Sequence, residues 1–150
     1  MAIQSLPRSS AKPRTYKLGT GIEKTHANRH FAVQIGSAGA GLLDPPTARL
    51  SGGAADGSIL GELLDVDVEN GEVSVLEYGV MYFRKANQYN AAENGHAILS
   101  TAGASNVADG IIKTRPAGNA GQNDAKQTGG ATIKDADGTT DIHVIRAEKR

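Results

Sequence analysis

Apolar and polar side chains alternate most regularly within residues 59–84. Leu64, Val66 and Val68 interleave with Asp65, Asp67 and Glu69, the two-residue period of a half-buried strand. Asn70-Gly71 follows, a pair suited to a type I′ turn because both central positions need positive φ. A two-residue turn there sets Val68 opposite Val73 and Val66 opposite Val75 on one face, with Asp67 opposite Ser74 on the other. Glu69 then faces Glu72, a mildly repulsive pair that belongs at an exposed tip. In the next strand, Tyr78-Gly79-Val80-Met81-Tyr82-Phe83, Tyr78, Val80 and Tyr82 share one face and Met81 and Phe83 the other. Apolar on both faces, this strand is expected to be central or to lie at an interface.

Shorter apolar runs predict strands at Phe31–Ile35, His96–Leu99 and Ile111–Thr114. The stretch Gly36-Ser37-Ala38-Gly39-Ala40-Gly41, the pair Pro45-Pro46 and Ser51-Gly52-Gly53 interrupt the chain between them. Residues 115–130 hold no apolar side chain larger than alanine and read as a surface loop. A last hairpin turns at Asp137-Gly138, with Ile133 facing Ile142 and Lys134 facing Asp141. No window of ten or more residues combines helical spacing with good helix formers. The expected fold is all-β: a small sandwich or barrel of short antiparallel strands over residues 31–150, preceded by an extended arm over residues 1–30.

Composition adds that the core is small. Of 150 residues, Ile, Leu, Val and Phe number 30, alanine 22 and glycine 19. That apolar share is at the low edge for globular domains, and the glycine share is nearly twice the usual ~7%. No run approaches the roughly 18 apolar residues of a membrane span. The first residues lack the apolar region of a secretory signal, so neither membrane insertion nor secretion is expected. With no cysteine there are no disulfides, thiolate zinc sites or thiol nucleophiles.

Net charge is zero but unevenly spread. Residues 1–30 carry Arg8, Lys12, Arg14, Lys17, Lys24 and Arg29 against Glu23 alone, while the remaining 120 residues hold 10 basic and 15 acidic groups. Such an arm suits an acidic partner or a neighbouring copy of the anionic body, and the plain alternative is a solvated tail. Specific nucleic-acid binding is not expected, because the body is acidic and only Tyr16 and Phe31 lie near the cations for stacking.

Motifs for chemistry are weak. The glycines after Phe31–Ile35 run G-x-x-G-x-G, and Pro45-Pro46 prevent the helix that would hold a pyrophosphate. Asp65, Asp67 and Glu69 imitate the start of a calcium loop, but its sixth and twelfth positions are Asn70 and Leu76 instead of glycine and glutamate. Glu23, His26 and His30 would share a face only if residues 22–31 were helical. His96 and His143 have no neighbours spaced as in a hydrolytic triad. Neither catalysis nor a cofactor or metal is expected.

The run Gly61-Glu62-Leu63-Leu64-Asp65-Val66-Asp67-Val68-Glu69-Asn70-Gly71-Glu72-Val73-Ser74-Val75-Leu76-Glu77-Tyr78-Gly79-Val80-Met81, with the arm and the Gly/Ala-rich entry, resembles tailed-phage capsid decoration (cement) proteins. The resemblance covers roughly residues 56–114, and its motifs are structural. It implies a small β-rich structural protein on the exterior of the virion. The partner would be the major capsid protein, with self-association as a trimer or dimer. The arm cations Arg8, Lys12, Arg14, Lys17, Lys24 and Arg29 would then contact the shell, and Tyr78, Val80, Met81, Tyr82 and Phe83 would form core or a self-association face. The alternative is a ligand- or glycan-binding β-domain of a phage tail or surface protein, for which four of the six aromatics fall within residues 78–89.

Overall fold

The computed structural model describes residues 13–37, 44–52, 59–85, 97–100, 109–115, 126–134 and 141–149. The fold is all-β. The strands are β1 (Pro13–Leu18), β2 (Ala32–Ser37), β3 (Thr47–Leu50), β4 (Gly61–Asp67), β5 (Glu72–Leu76), β6 (Gly79–Lys85), β7 (Ala97–Ser100), β8 (Ile112–Arg115), β9 (Lys126–Lys134) and β10 (Asp141–Lys149). They close two barrels in succession, ordered β1-β3-β2-β4-β5 and β6-β8-β7-β9-β10. All pairings are antiparallel except β1 with β3 and β6 with β8. The barrels follow one another along the chain, and Glu77-Tyr78 joins them.

Alternation fills each interior. The first barrel encloses Tyr16, Val33, Ala48, Leu63, Val66, Val73 and Val75. The second encloses Met81, Phe83, Ile98, Ile112, Ile145 and Ala147. Ala32, Ile59 and Leu76 of the first barrel join that second cluster, so one apolar core runs from barrel to barrel. Each fully buried Val, Leu or Phe stabilises by roughly 1.5–3 kcal/mol, which gives cores of this size limited reserve.

The expected strands at Phe31–Ile35, His96–Leu99 and Ile111–Thr114 are present as β2, β7 and β8, displaced by a residue or two. The last hairpin has the expected register, Ile133 opposite Ile142 and Lys134 opposite Asp141. Its turn, with Asp137-Gly138, lies outside the described residues.

Three expectations are corrected. The β4–β5 hairpin pairs Val66 with Val73 and Asp67 with Glu72, two residues away from the register of a two-residue turn. Residues 68–71 form a longer loop in which Gly71 has φ 67° and Asn70 stays at negative φ. The backbone N–H and side-chain amide of Asn70 both donate to the Asp67 carboxylate, at 3.0 and 2.7 Å. Those bonds hold the Asp67 carboxyl below its ordinary range. The shift is even, so the inward faces are those expected, while Val68 becomes exposed.

Residues 13–30 do not form an extended arm. Residues 1–12 lie outside the described residues, whereas residues 13–30 hold β1 and a 3-10 turn over Lys24–His26. Tyr16 alone is buried among its neighbours in β1, and Pro13 occupies the first strand position, where proline is tolerated. Residues 126–130, read as loop, belong to β9, because main-chain pairing to β10 needs no large side chain.

Candidate functional site

The polar chemistry of the described residues concentrates where the barrels meet. Asn28 and His30 lie at φ 55° and 67°, an uncommon conformation for residues other than glycine, in the turn that leads into β2. The His30 carbonyl accepts the Arg84 N–H at 3.0 Å. Its ring Nδ1 lies 3.1 Å from Glu62 Oε2, and the ring centroid is 5.8 Å from that of Tyr82. Glu62, from the start of β4, is completely buried and its Oε1 accepts the Tyr82 N–H at 2.9 Å. Arg84 Nε donates to the Arg29 carbonyl at 2.9 Å, and its guanidinium lies 4.5 Å from the centre of the Phe31 ring. The Ala32 N–H donates to the Gly110 carbonyl and the Gly110 N–H to the Ser51 carbonyl, continuing the seam. A buried carboxylate is costly unless paired and hydrogen-bonded, and removing a partner typically costs about 3–5 kcal/mol.

A second buried carboxylate, Glu77, sits in the connector. It accepts the Tyr16 hydroxyl through Oε1 and pairs with Arg14 Nε at 3.2 Å through Oε2. This ties β1 to the junction. At the far end of β6, Lys85 is only 6% exposed, and burial pulls its ammonium below the ordinary lysine value.

The arm cations fall into two groups. Arg8 and Lys12 lie outside the described residues. The rest contact the chain's own body: Arg14 pairs with Glu77, Lys17 with Asp44, and Lys24 Nζ with Asp65 at 3.3 Å and the Val66 carbonyl at 2.7 Å. Arg29 Nη1 reaches the Thr25 carbonyl at 3.5 Å, and its guanidinium lies 6.0 Å from the Phe31 ring centre. The five candidate association residues also separate: Met81 and Phe83 are core, Val80 is buried, Tyr82 is in the seam, and Tyr78 is exposed in the connector.

Glu23, His26 and His30 are engaged separately. The Glu23 N–H donates to His26 Nδ1 at 2.9 Å, whereas His30 turns to Glu62. Among the described residues no three His, Cys, Asp or Glu side chains are grouped to hold a metal ion. His96 lies outside the described residues, and His143 is placed by its backbone on β10. A cleft of about 410 Å³ opens beside β1, lined by Thr15, Lys17, Pro45, Thr47 and the 70–72 turn.

Sequence reasoning missed Glu62, Glu77 and Arg84 as junction residues. Their only signal was charge within or beside strands otherwise apolar on both faces. No protein-family model, curated protein or solved structure matches this chain.

Proposed function

We propose that the protein is a capsid decoration (cement) protein of a tailed phage. It binds the major capsid protein on the outer surface of the icosahedral head and stabilises the shell across capsomer seams. The supporting observation is how the buried polar groups are used. Glu62, His30 and Arg84 join one barrel to the other, and Glu77 fastens the first strand to their connector. A pair of barrels joined in this way is a stiff module with many outward faces, suited to modest contacts repeated by symmetry.

In this reading the shell contact is assigned to Arg8 and Lys12, since Arg14, Lys17, Lys24 and Arg29 contact the chain's own body. The test uses full-length protein and shells assembled from the major capsid protein of its source phage. Cosedimentation should show saturable binding, weakened at least several-fold by the double substitution R8E/K12E and by raised salt, since exposed charges are screened over ~8–10 Å. Failure of the wild-type chain to sediment with those shells overturns the proposal.

A further inference from the structure

The two barrels are the same unit used twice, and the repetition exposes a contact surface. Both have the same strand order and one parallel pair at the corresponding place. The correspondence extends to individual registers. Leu18↔Ala48 in the first barrel matches Lys85↔Ile112 in the second, and Tyr16↔Val73 matches Phe83↔Ile145. Ile35↔Ala48 matches Ser100↔Ile112, and Ala32↔Glu62 matches Ala97↔Lys126. The bulges coincide as well. Pairing steps from Leu63↔Val75 to Asp65↔Ser74 in one hairpin and from Gln127↔Ala147 to Gly129↔Arg146 in the other. Leu64 and Thr128 are thus the same extra residue. One fixed offset per strand satisfies these pairings around both closed barrels, including the bulge, which independent folds would not share.

Within the chain the repeats meet head to tail. The second barrel presents Tyr82 and Arg84 of β6, and the first covers them with Glu62 and the 29–31 segment. A head-to-tail contact leaves one face of each kind without a repeat of this chain against it, so that further copies can extend it into a ring or a filament. The first-barrel counterparts of Tyr82 and Arg84 are Thr15 and Lys17, exposed on β1 at the 410 Å³ cleft. The second-barrel counterpart of Ala32↔Glu62 is Ala97↔Lys126.

We propose that a second copy of this chain docks here, its β7–β9 face, centred on Ala97↔Lys126, seating against Thr15 and Lys17. One detail differs from the contact within the chain. The Lys17 N–H is taken by the Pro46 carbonyl, whereas the equivalent Arg84 N–H reaches across to His30. The contact between copies therefore relies on side chains and the cleft. With Thr15, Lys17 and Lys126 in place of Tyr82, Arg84 and Glu62, the carboxylate at this contact is Asp44, the ion-pair partner of Lys17, and the contact is more polar, as befits a reversible association.

The absence of cysteine makes the test direct. Full-length T15C and K126C chains are prepared separately, their melting and thiol labelling checked, and then mixed under mild oxidation. A disulfide-linked pair is expected only in the mixture, and the double variant T15C/K126C should give a ladder of higher species. Cross-linking of T15C to itself alone, or no cross-link between two labelling-competent thiols, overturns the inference. Sedimentation equilibrium gives a second reading. The mean mass of the wild type should rise with concentration, T15R should suppress the rise, and a single unchanging wild-type mass refutes the contact. No shells enter either experiment, so the docking face and the decoration role can fail independently.

Discussion

Burial of Lys85 sets the pH response of a single residue. Its folded ammonium releases a proton below the ordinary value of 10.5, and burial is the cause. The unfolded chain therefore holds more protons between the lowered folded value and 10.5, and stability rises with pH through that interval. Lys85→Met should remove this rise. Urea midpoints of the wild type should rise relative to those of the variant as pH increases through that interval toward 10.5. Equal midpoints for the two proteins at every pH would refute this account. Asp67 works with the opposite sign: its contribution is present above the ordinary carboxyl value of 3.8 and fades as acid protonates it through the lowered folded value.

At the scale of elements, glycine positions separate steric from conformational demand. A methyl group at Gly61 would run into the Leu76 carbonyl across the β4–β5 pair, whereas one at Gly21 would meet open space at φ 93°. Gly61→Ala should therefore cost about 2–3 kcal/mol and Gly21→Ala about 1–2 kcal/mol, as measured by denaturant titration. The same hairpins show what the amino-acid order could reveal. Ile133 facing Ile142 was legible because the same register sets Lys134 opposite Asp141, so slipping it loses both the apolar match and the match of opposite charges. The β4–β5 pairing was legible only in its parity, since Val66, Val68, Val73 and Val75 match equally well two residues apart. The capping of Asn70 by Asp67 then decides between the registers. β1 and β3 were unreadable because each buries only one or two side chains and stands beside prolines. The duplication was hidden because residues at equivalent register positions differ as much as Val66 and Gly130. Among the candidate site residues, charge identified the basic segment, but periodicity could not show that Glu62 and Glu77 lie between two barrels.

Across the whole molecule, the shared apolar cluster and the polar seam make the barrels depend on each other. Calorimetry of the intact chain should give one unfolding transition. Glu62→Ala, which strips the partner from His30 and the acceptor from the Tyr82 N–H, should lower the midpoint by an amount corresponding to about 3–5 kcal/mol. It should also split the transition in two as the halves uncouple. A wild type that already melts in two steps would show that the seam does not couple them.

The short Glu77-Tyr78 connector also orders events on the ribosome. All five strands of the first barrel precede it, so that half can close while its sister is still being translated. Until β6 and its partners emerge, Ala32, Ile59 and Leu76 lack the second-barrel side chains that cover them. The nascent chain thus passes through a sticky half-finished stage on every polysome. Abrupt pausing of translation just after Leu76 should yield aggregates, while pausing past Lys149 should not.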